Sequence, residues 1–232
     1  MSLPIFNFTE IESTNDFARS LITEHKIFKG IVIADQQTKG RGRYGNKWNS
    51  PKGNLYFTIF FPILKTNLKK IQFLVQLQIR NILVNYNIKN VSLKWPNDLY
   101  INNKKVCGIL QESIVFNKFF LIIGIGINVK SSPKIKKYPT TYLNKETNKK
   151  INLRELIEKL KKCFVSSIID KKYSLKKIAK DWNKYAFNKN KFIKFKINNK
   201  IYKGIFKGIN NNGALILQHN NHKDYFTHGS LV

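Results

Sequence analysis

The sequence predicts an α+β fold in which a mixed or largely antiparallel sheet is backed by helices and followed by a small all-β module. Two observations support this fold class. Short β-rich apolar runs alternate with segments of helical periodicity up to Tyr185. After Phe187 only short alternating runs remain, and asparagine and glycine turn signals separate them. We therefore expect a main domain of residues 1–187 and a terminal module of residues 188–232.

The first part of the main domain contains two predicted helices and two predicted strands. Ser13-Thr14-Asn15-Asp16 is typical of a helix N-cap and precedes an amphipathic segment. Residues 30–35 form a predicted buried strand, and residues 55–61 form a second strand that Pro62 ends. Apolar residues recur at helical spacing over residues 71–86, which predicts a long helix.

The middle of the chain is predicted to continue the sheet. Residues 91–95 form a strand, and residues 99–101 turn through Asn102-Asn103 into a strand over residues 106–110. Another apolar strand follows over residues 119–127, interrupted by two glycines. These segments complete the predicted sheet of the main domain.

The remaining segments are two helices, a loop and the terminal module. Residues 135–150 are polar and weakly patterned, which predicts a surface loop. Asn152-Leu153-Arg154-Glu155 resembles a capping box at the start of a helix, and a further helix is expected around residues 175–185. The terminal module has turn signals at the positions Asn198-Asn199, 210–213 and Asn220-Asn221.

Composition excludes several classes of protein. No run of about 18 apolar residues and no signal peptide is present, so a cytoplasmic protein is expected. Cys107 and Cys163 lie far apart without metal-ligand spacing, which favours two reduced, buried thiols. The net charge of +29 invites a nucleic-acid interpretation. Because the lysines are spread along the chain with many asparagines and isoleucines, we hypothesise that most of this charge is compositional drift on solvated faces.

A basic glycine loop is the first candidate for a functional site. Gly40-Arg41-Gly42-Arg43-Tyr44-Gly45 matches G-x-G-x-x-G, but residues 49–53 open no helix, so a dinucleotide site is not favoured. The loop also lacks the Walker pattern. Lys39, Arg41, Arg43 and Lys47 stand in it without an acid, and glycine backbone with arginine forks suits phosphate oxygens. The alternative is a solvated basic turn with Trp48 in the core.

Two further motifs suit a ligand site. In Lys94-Trp95-Pro96-Asn97-Asp98 a lysine ends a strand, where it can neutralise charge on a phosphoryl group, although a plain exposed lysine is the alternative. Asp98 caps the turn or helps to hold Mg²⁺. Glycines at 124 and 126 before Asn128 allow a ligand to approach the sheet, or mark a bulge. His25, His219, His222 and His228 do not form a catalytic arrangement with these motifs, so positioning and charge neutralisation fit better.

Together and in this order, the motifs resemble those of biotin protein ligases. The matching segments are Ser13-Thr14-Asn15, Gln36-Gln37, Gly40-Arg41-Gly42-Arg43 with Trp48, Lys94-Trp95-Pro96-Asn97-Asp98, Gly108-Ile109-Leu110 and residues 124–128. The resemblance covers nearly the whole chain, because Lys207-Gly208-Ile209 and Gly213-Ala214-Leu215 are similar to segments of that family's C-terminal domain. It implies a class II synthetase-like catalytic domain with a small SH3-like β-barrel.

The resemblance implies two half-reactions. Biotin carboxylate attacks the α-phosphorus of ATP, supplied as its Mg²⁺ complex, to give biotinyl-5′-AMP and pyrophosphate. A lysine of the biotin carboxyl carrier protein, an acetyl-CoA carboxylase subunit, then takes the biotinyl group. The residues expected to contact biotin or its adenylate are Ser13, Thr14, Asn15, Gln37, Arg41, Gly42, Arg43, Lys94 and Gly108. Lys94 and Arg43 are the expected catalytic residues, and Trp48 and Asn128 are expected on the adenine side.

The roles of these residues follow from the charge that moves in both steps. Lys94 is expected to stabilise negative charge at the phosphate, while Arg41 and Arg43 clamp the adenylate beneath the loop, which acts as a lid. Two residues depart from the family pattern: Lys39 replaces a small residue and Asn46 a frequent arginine. The Ser13 motif begins too early for a preceding helix-turn-helix, so the monofunctional form is expected; the oligomeric state, a homodimer included, stays open.

Two other functions are left open by the sequence. A lipoate or octanoate protein ligase of related fold also modifies a carrier lysine, although the glycine loop together with residues 94–98 favours biotin. A nucleic-acid-binding module would present cations and aromatics on a β-surface. Its best candidates are Phe192, Phe195, Tyr202 and Phe206, although alternate aromatics in a small β-barrel usually belong to the core.

Overall fold

The computed structural model describes residues 3–169, 174–197 and 200–231. The larger sheet consists of β1 (Ile5–Phe8), β2 (Gly30–Ala34), β3 (Leu55–Pro62), β4 (Val91–Lys94), β5 (Asp98–Ile101), β6 (Lys104–Phe116) and β7 (Lys118–Ile127). The smaller sheet consists of β8 (Phe192–Ile197), β9 (Lys200–Ile209), β10 (Leu215–His219), β11 (His222–Phe226) and β12 (Ser230–Leu231). The helices are α1 (Thr14–Thr23), α2 (Leu68–Val84), α3 (Leu143–Glu146), α4 (Leu153–Ile169) and α5 (Leu175–Lys184).

The larger sheet has the strand order β1-β2-β3-β7-β6-β5-β4. Only β1 and β2 pair in parallel and every other neighbouring pair is antiparallel, so the predicted mixed sheet is confirmed. The smaller sheet has the order β11-β10-β9-β8-β12 and stays open among the described residues, so the SH3-like barrel is not closed. The α+β fold class is confirmed.

The two faces of the larger sheet have different coverings. On β7, alternate residues Leu121 to Ile127 face the core built with α2, α4 and α5. The intervening Phe120 and Ile122 pack beneath α1 on the opposite face. Further along that second face the strand carries Gly124, which the Asn15 side chain at the start of α1 covers, and Gly126, which the Trp48 ring covers. The change from bulky residues to glycine on one face therefore creates room beside the start of α1.

The terminal module shares its core with the main domain. Trp95 and Phe195 pack edge to face with ring centroids 5.6 Å apart, and the Trp95 Nε1–H donates to the Gly213 carbonyl at 3.5 Å. Asn183 of α5 binds Ile209 through two hydrogen bonds of 2.8 Å. The apolar core is continuous across residues 187 and 188. The boundary predicted there remains a prediction, because the packing does not mark it.

Several local predictions are confirmed. Ser13 is the N-cap of α1, and its hydroxyl accepts from the Asp16 N–H. Asn152 caps α4, because its side-chain oxygen accepts from the N–H groups of Arg154 and Glu155. The long helix of residues 71–86 is α2, and the hairpin turn at Asn102-Asn103 lies between β5 and β6. The turn predicted at Asn198-Asn199 lies outside the described residues.

Other details differ from the sequence-based expectations. β1 is absent from the prediction because it is a short, half-exposed edge strand. β6 runs to Phe116, well beyond residue 110, because pairing with β7 extends it through polar residues. The loop predicted over residues 135–150 contains the short helix α3. Neither cysteine is part of a disulfide, but only Cys107 is buried and Cys163 is half-buried. No described helix has the length and apolar character needed to cross a membrane.

Candidate active site

A cleft of about 720 Å³ opens on the face of the larger sheet beside the start of α1. It gathers segments that are far apart in sequence: the N-cap of α1, the glycine loop, the turn after β4, strands β5 to β7, residues 137–138 and the end of the terminal module. The predicted site residues on its lining are Ser13, Thr14, Asn15, Gln37, Arg41, Gly42, Arg43, Trp48, Lys94 and Gly108. Asn128 is the predicted site residue that does not line it.

Three glycines form the floor of the cleft. Gly108 of β6 and Gly126 of β7 are directly paired, and the ring of Trp48 lies on both. A Cβ on Gly108 would come within 2.9 Å of the Trp48 ring, and one on Gly126 would collide with it. A Cβ on Gly124 would collide with the Asn15 amide. Glycine is needed here because loop and helix side chains lie flat against the strands.

One end of the cleft carries uncharged hydrogen-bonding groups. The Gln37 side-chain oxygen accepts from the Thr14 N–H at 2.9 Å and from its hydroxyl at 3.0 Å, while the Gln37 amide donates to Ser50 at 3.0 Å. The Thr58 hydroxyl lies 2.8 Å from both Thr14 Oγ1 and Asn15 Oδ1. These residues are held by one another, so their remaining donors and acceptors have fixed directions.

The glycine loop is folded across the cleft. The Gly42 N–H donates to the Asn46 carbonyl at 2.6 Å and the Trp48 N–H to the Gly40 carbonyl at 2.9 Å. Tyr44 adopts left-handed backbone with φ of 54° at the tip. The Asn46 side chain donates to the Arg43 carbonyl at 2.7 Å, so this departure from the family pattern stabilises the turn.

The two loop arginines lie in different places. The Arg41 guanidinium forms ion pairs with Asp16 on α1 and with Glu112 on β6. Burial alone would lower the pKa of Arg41, but these two carboxylates raise it above its usual value. Arg43 points along the cleft instead, where its Nη1 lies 3.4 Å from the Asn97 side-chain oxygen. Arg43 is therefore the loop arginine placed to meet an anion.

Two lysines converge at the other end of the cleft. Lys94 ends β4, and its Nζ lies 3.3 Å from the Tyr100 hydroxyl. Burial lowers the pKa of Lys94, and the nearby Lys105 lowers it further against the opposing effect of Asp98. The Lys105 side chain is 12% exposed and its Nζ lies 2.8 Å from Asp98 Oδ1. Burial alone would lower the pKa of Lys105, but the ion pair with Asp98 raises it.

Lys105 is absent from the sequence-based prediction. The register of β5 against β6 shifts between Leu99 and Tyr100, because Leu99 pairs with Cys107 whereas Tyr100 pairs with Lys105. The unpaired Val106 forms a β-bulge, and a bulge redirects the side chains that follow it. Strict alternation from Gly108 would have turned Lys105 away from the cleft. The Asn102-Asn103 hairpin could be recognised from the sequence, but the extra residue that β6 contributes to it could not.

Other lining residues were also missed. Tyr138 and Lys137 come from the segment predicted as a surface loop, and the Lys105 Nζ lies 5.3 Å from the ring centroids of both Trp48 and Tyr138. Lys196 and the β12 residues Ser230 and Leu231 reach the cleft from the terminal module. These contacts depend on tertiary packing and have no local signal in the sequence.

Asn128 lies behind the cleft wall. It is 3% exposed, and its amide donates to the Thr141 carbonyl at 3.0 Å. Its backbone N–H and C=O also bind Val106 and Leu143. In this arrangement Asn128 holds the segment that carries Tyr138 against the sheet, and its predicted place on the adenine side stays a prediction.

The cleft is strongly cationic. Its lining includes seven cationic side chains and one carboxylate, Asp98, among the described residues; the cations are Arg41, Arg43, Lys47, Lys94, Lys105, Lys137 and Lys196. Asp98 is already paired with Lys105, and no group of three potential metal ligands occurs in the described parts of the chain. The residues therefore do not fit a magnesium ion held by the protein itself.

Comparison with known proteins agrees with this geometry. Residues 7–129 match the model of the biotin/lipoate A/B protein ligase family. The chain belongs to this family. Its structure is similar to that of the biotin protein ligase from Aquifex aeolicus in complex with biotin and ATP. The TM-score is 0.85, and the identity is 27% over 99% of this chain and 97% of that one.

Curated relatives in the family cover different shares of this chain. Biotin–protein ligase 2 of Arabidopsis thaliana is 34% identical over 144 residues, which is 58% of this chain and 41% of that protein. The biotin–[acetyl-CoA-carboxylase] ligase of Paracoccus denitrificans is 29% identical over 200 residues, which is 81% of this chain and 83% of that protein. The chain thus spans less than half of the Arabidopsis relative and most of the bacterial one.

The aromatics proposed for a nucleic-acid surface are mostly core residues. Phe195 and Phe206 are fully buried, and Tyr202 is half-buried and packs against Phe226 with ring centroids 4.9 Å apart. Only Phe192 of that set is largely exposed. The stacking platform that a single-stranded nucleic acid requires is not formed by these four side chains.

Proposed function

We propose that this family member is a biotin protein ligase, which forms biotinyl-5′-AMP from biotin and ATP and transfers the biotinyl group to a lysine of a carrier protein. The name of the Paracoccus relative favours the biotin carboxyl carrier protein of acetyl-CoA carboxylase as the acceptor. Residues 1–187 would form the catalytic domain, and residues 188–232 would complete the wall of its cleft.

The observation that carries this proposal is the division of one cleft into two chemical halves. Uncharged groups of Thr14, Asn15 and Gln37 line one half, and these suit a neutral ureido ring. Lys94 and Lys105 line the other half, which suits phosphate oxygens. Biotinyl-adenylate has a ring at one end and a phosphate near its middle, so it matches this order of groups.

In the first half-reaction the protein positions two anions that repel each other. A biotin carboxylate oxygen bonds to the α-phosphorus of ATP as the bond to pyrophosphate breaks, with no proton transfer to the protein. The cations Lys94, Lys105 and Arg43 offset the charge that gathers on the phosphorus oxygens. A cation about 4 Å from a phosphate charge contributes roughly 4 kcal/mol at an effective dielectric constant near 20.

In the second half-reaction the ε-amine of the carrier lysine attacks the carbonyl carbon of the mixed anhydride. The C–O bond to the phosphate breaks, AMP leaves as an anion, and the attacking nitrogen releases one proton to solvent. The same cations stabilise the leaving phosphate. The folded glycine loop keeps water from the anhydride until the carrier arrives.

Biotin-dependent exchange of labelled pyrophosphate into ATP tests the first half-reaction. We expect exchange with biotin and none with lipoate or octanoate, because a ureido ring can use the hydrogen-bonding groups of Thr14, Asn15 and Gln37 and an acyl chain cannot. Exchange with lipoate alone would replace the proposal by lipoate ligation. Transfer is then tested by mass spectrometry of an apo carrier domain, which should gain one biotinyl group at one lysine.

A further inference from the structure

Glu112 joins the floor of the cleft to the glycine loop. It lies on β6, and its side chain is 18% exposed. Its Oε2 accepts from the Asn15 amide at 2.7 Å, and its carboxylate lies 3.3 Å from the guanidinium groups of Arg19 and Arg41. Asp16 adds a second carboxylate on Arg41, with its Oδ2 3.1 Å from Arg41 Nε.

Asn15 has only one orientation that satisfies its neighbours. It is 4% exposed and lies against Gly124, with its oxygen 2.8 Å from the Thr58 hydroxyl and its amide nitrogen on Glu112. A carboxylate is an acceptor only, so Glu112 requires the NH₂ end of Asn15 on its side. Glu112 thereby fixes which end of the Asn15 amide is offered to the cleft.

Arg41 forms the more buried of the ion pairs that join the glycine loop to the rest of the protein. The loop cation Lys39 also forms an ion pair, with Glu12, but both side chains of that pair are about two-thirds exposed. Arg41 is 40% exposed, and it meets Glu112 where the carboxylate is more than four-fifths buried. Partly buried, doubly paired contacts contribute more than exposed ones.

We propose that Glu112 is a positioning residue that couples the orientation of the Asn15 amide to closure of the glycine loop through Arg41. A ligand bound to Asn15 then stabilises the carboxylate position that holds Arg41, and a closed loop holds Asn15 ready for the ligand. This inference rests on the proposed ligase function and assigns Arg41 to loop closure, leaving Arg43 to meet the phosphate.

Glu112→Gln is the informative substitution, because it keeps the shape and an acceptor oxygen but removes the charge. We expect biotinyl-adenylate to dissociate about tenfold faster and the KM for biotin to rise by a similar factor, which corresponds to a modest loss of binding free energy. The single-turnover rate of adenylate formation at saturating biotin should stay within about threefold, because no phosphate-facing cation changes.

The matched control is Glu12→Gln, which removes the exposed carboxylate that pairs with Lys39 on the same loop. It should leave adenylate dissociation unchanged. Arg41→Gln tests the coupling from the loop side without touching the sheet, and the double variant Arg41→Gln/Glu112→Gln should release adenylate no faster than the more affected single variant.

The outcomes separate this inference from the proposed function. If the wild-type protein forms no adenylate from biotin and ATP, the proposed function fails. If it forms adenylate but Glu112→Gln releases it as slowly as Glu12→Gln does, the positioning role is overturned. Additive effects of Arg41→Gln and Glu112→Gln would also overturn it, because uncoupled residues act independently. A fall in single-turnover rate with an unchanged KM would place Glu112 in the chemical step and contradict the inference.

Discussion

At the residue scale, the proposed chemistry depends on two lysines that share a cleft but have opposite surroundings. Burial lowers the pKa of Lys94, and the neighbouring Asp98 offsets this only in part. Lys105 is more enclosed, yet its contact with Asp98 at 2.8 Å raises its pKa. Lys105 is therefore the permanent charge of the pair, and Lys94 is the one whose charge responds to its environment.

Removing either lysine should slow adenylate formation. We expect Lys94→Ala and Lys105→Ala each to reduce biotin-dependent pyrophosphate exchange by about 10²- to 10³-fold, because each removes a cation from the developing phosphate charge. Lys105→Ala should also lower stability, because it leaves Asp98 without its partner. Lys118→Ala, at an exposed position on β7, is the control. Near-normal exchange in the Lys94 variant would refute its role.

The lowered pKa of Lys94 predicts a pH dependence. The active form is the cation, which is present below its pKa and is lost as pH rises through it. At subsaturating biotin and ATP, where the rate reports the ligand-free protein, exchange should therefore fall on the alkaline side at a pH below 10.5, the ordinary lysine value. Asp98, Tyr100 and Lys105 are the titratable groups that face it.

Lys94→Arg tests this assignment. A guanidinium stays charged, so the alkaline decline should move to higher pH in the variant even if its maximal rate is lower. Lys118→Arg should not move it. An alkaline decline at the same pH in wild type and Lys94→Arg would show that a different group titrates.

How much could be predicted at this scale depended on distance in sequence. The N-cap at Ser13 was identifiable because a helix N-cap is a local pattern, whereas the site role of Ser13, Thr14 and Asn15 came from the family resemblance. The partners of Arg41 were not, because Asp16 and Glu112 come from other elements, and the loop itself contains no acid. An anion clamp was therefore assigned to both arginines, although the two guanidinium groups lie on different partners.

At the scale of elements, the cleft depends on alternation along β7. Phe120 and Ile122 support α1, and the next two positions on that face are glycines that accept Asn15 and Trp48. The sequence showed the glycines but not their covering, because the side chains that fill the space belong to a helix and a loop. The length of β6 and the bulge at Val106 likewise could not be predicted from the local sequence pattern, because strand pairing determines both.

Gly124→Ala should weaken biotin binding. The added Cβ collides with the Asn15 amide, so the side chain or the start of α1 must move. We expect the dissociation constant for biotin, measured by calorimetry, to rise about tenfold or more. Ile123→Val, on the opposite face of the same strand, should cost about 1 kcal/mol of stability and leave biotin affinity unchanged. Unaltered affinity in Gly124→Ala would contradict the packing argument.

At the scale of the whole molecule, the terminal module is part of the main core. The predicted boundary at residues 187 and 188 came from a change of pattern, which is a local property. Trp95 packs on Phe195, and Phe73 lies close to Gly213, so the two parts exclude water together. Sequence periodicity shows which faces are apolar but not that they face each other.

Phe195→Ala should therefore destabilise the entire protein. Its side chain is fully buried between Trp95 and Phe226, and such truncations cost about 3–5 kcal/mol. Phe192→Ala, three residues earlier and 67% exposed, should change the free energy of unfolding by no more than about 0.5 kcal/mol. Urea denaturation monitored by tryptophan fluorescence measures both. A separate early transition in the Phe195 variant would show that the module unfolds alone.

The cationic lining of the cleft also affects the release of the anionic product. Pyrophosphate, the by-product of the proposed first step, has more charge than the adenylate that stays behind, and the cleft that it leaves is lined by seven cations and one carboxylate. The by-product should therefore depart slowly, act as a strong inhibitor and reverse the reaction when it accumulates. Added salt screens these charges. Moderate ionic strength should therefore speed release of pyrophosphate, and with it steady-state turnover, while lowering the affinity for ATP. Removal of pyrophosphate would therefore set the direction of the proposed reaction.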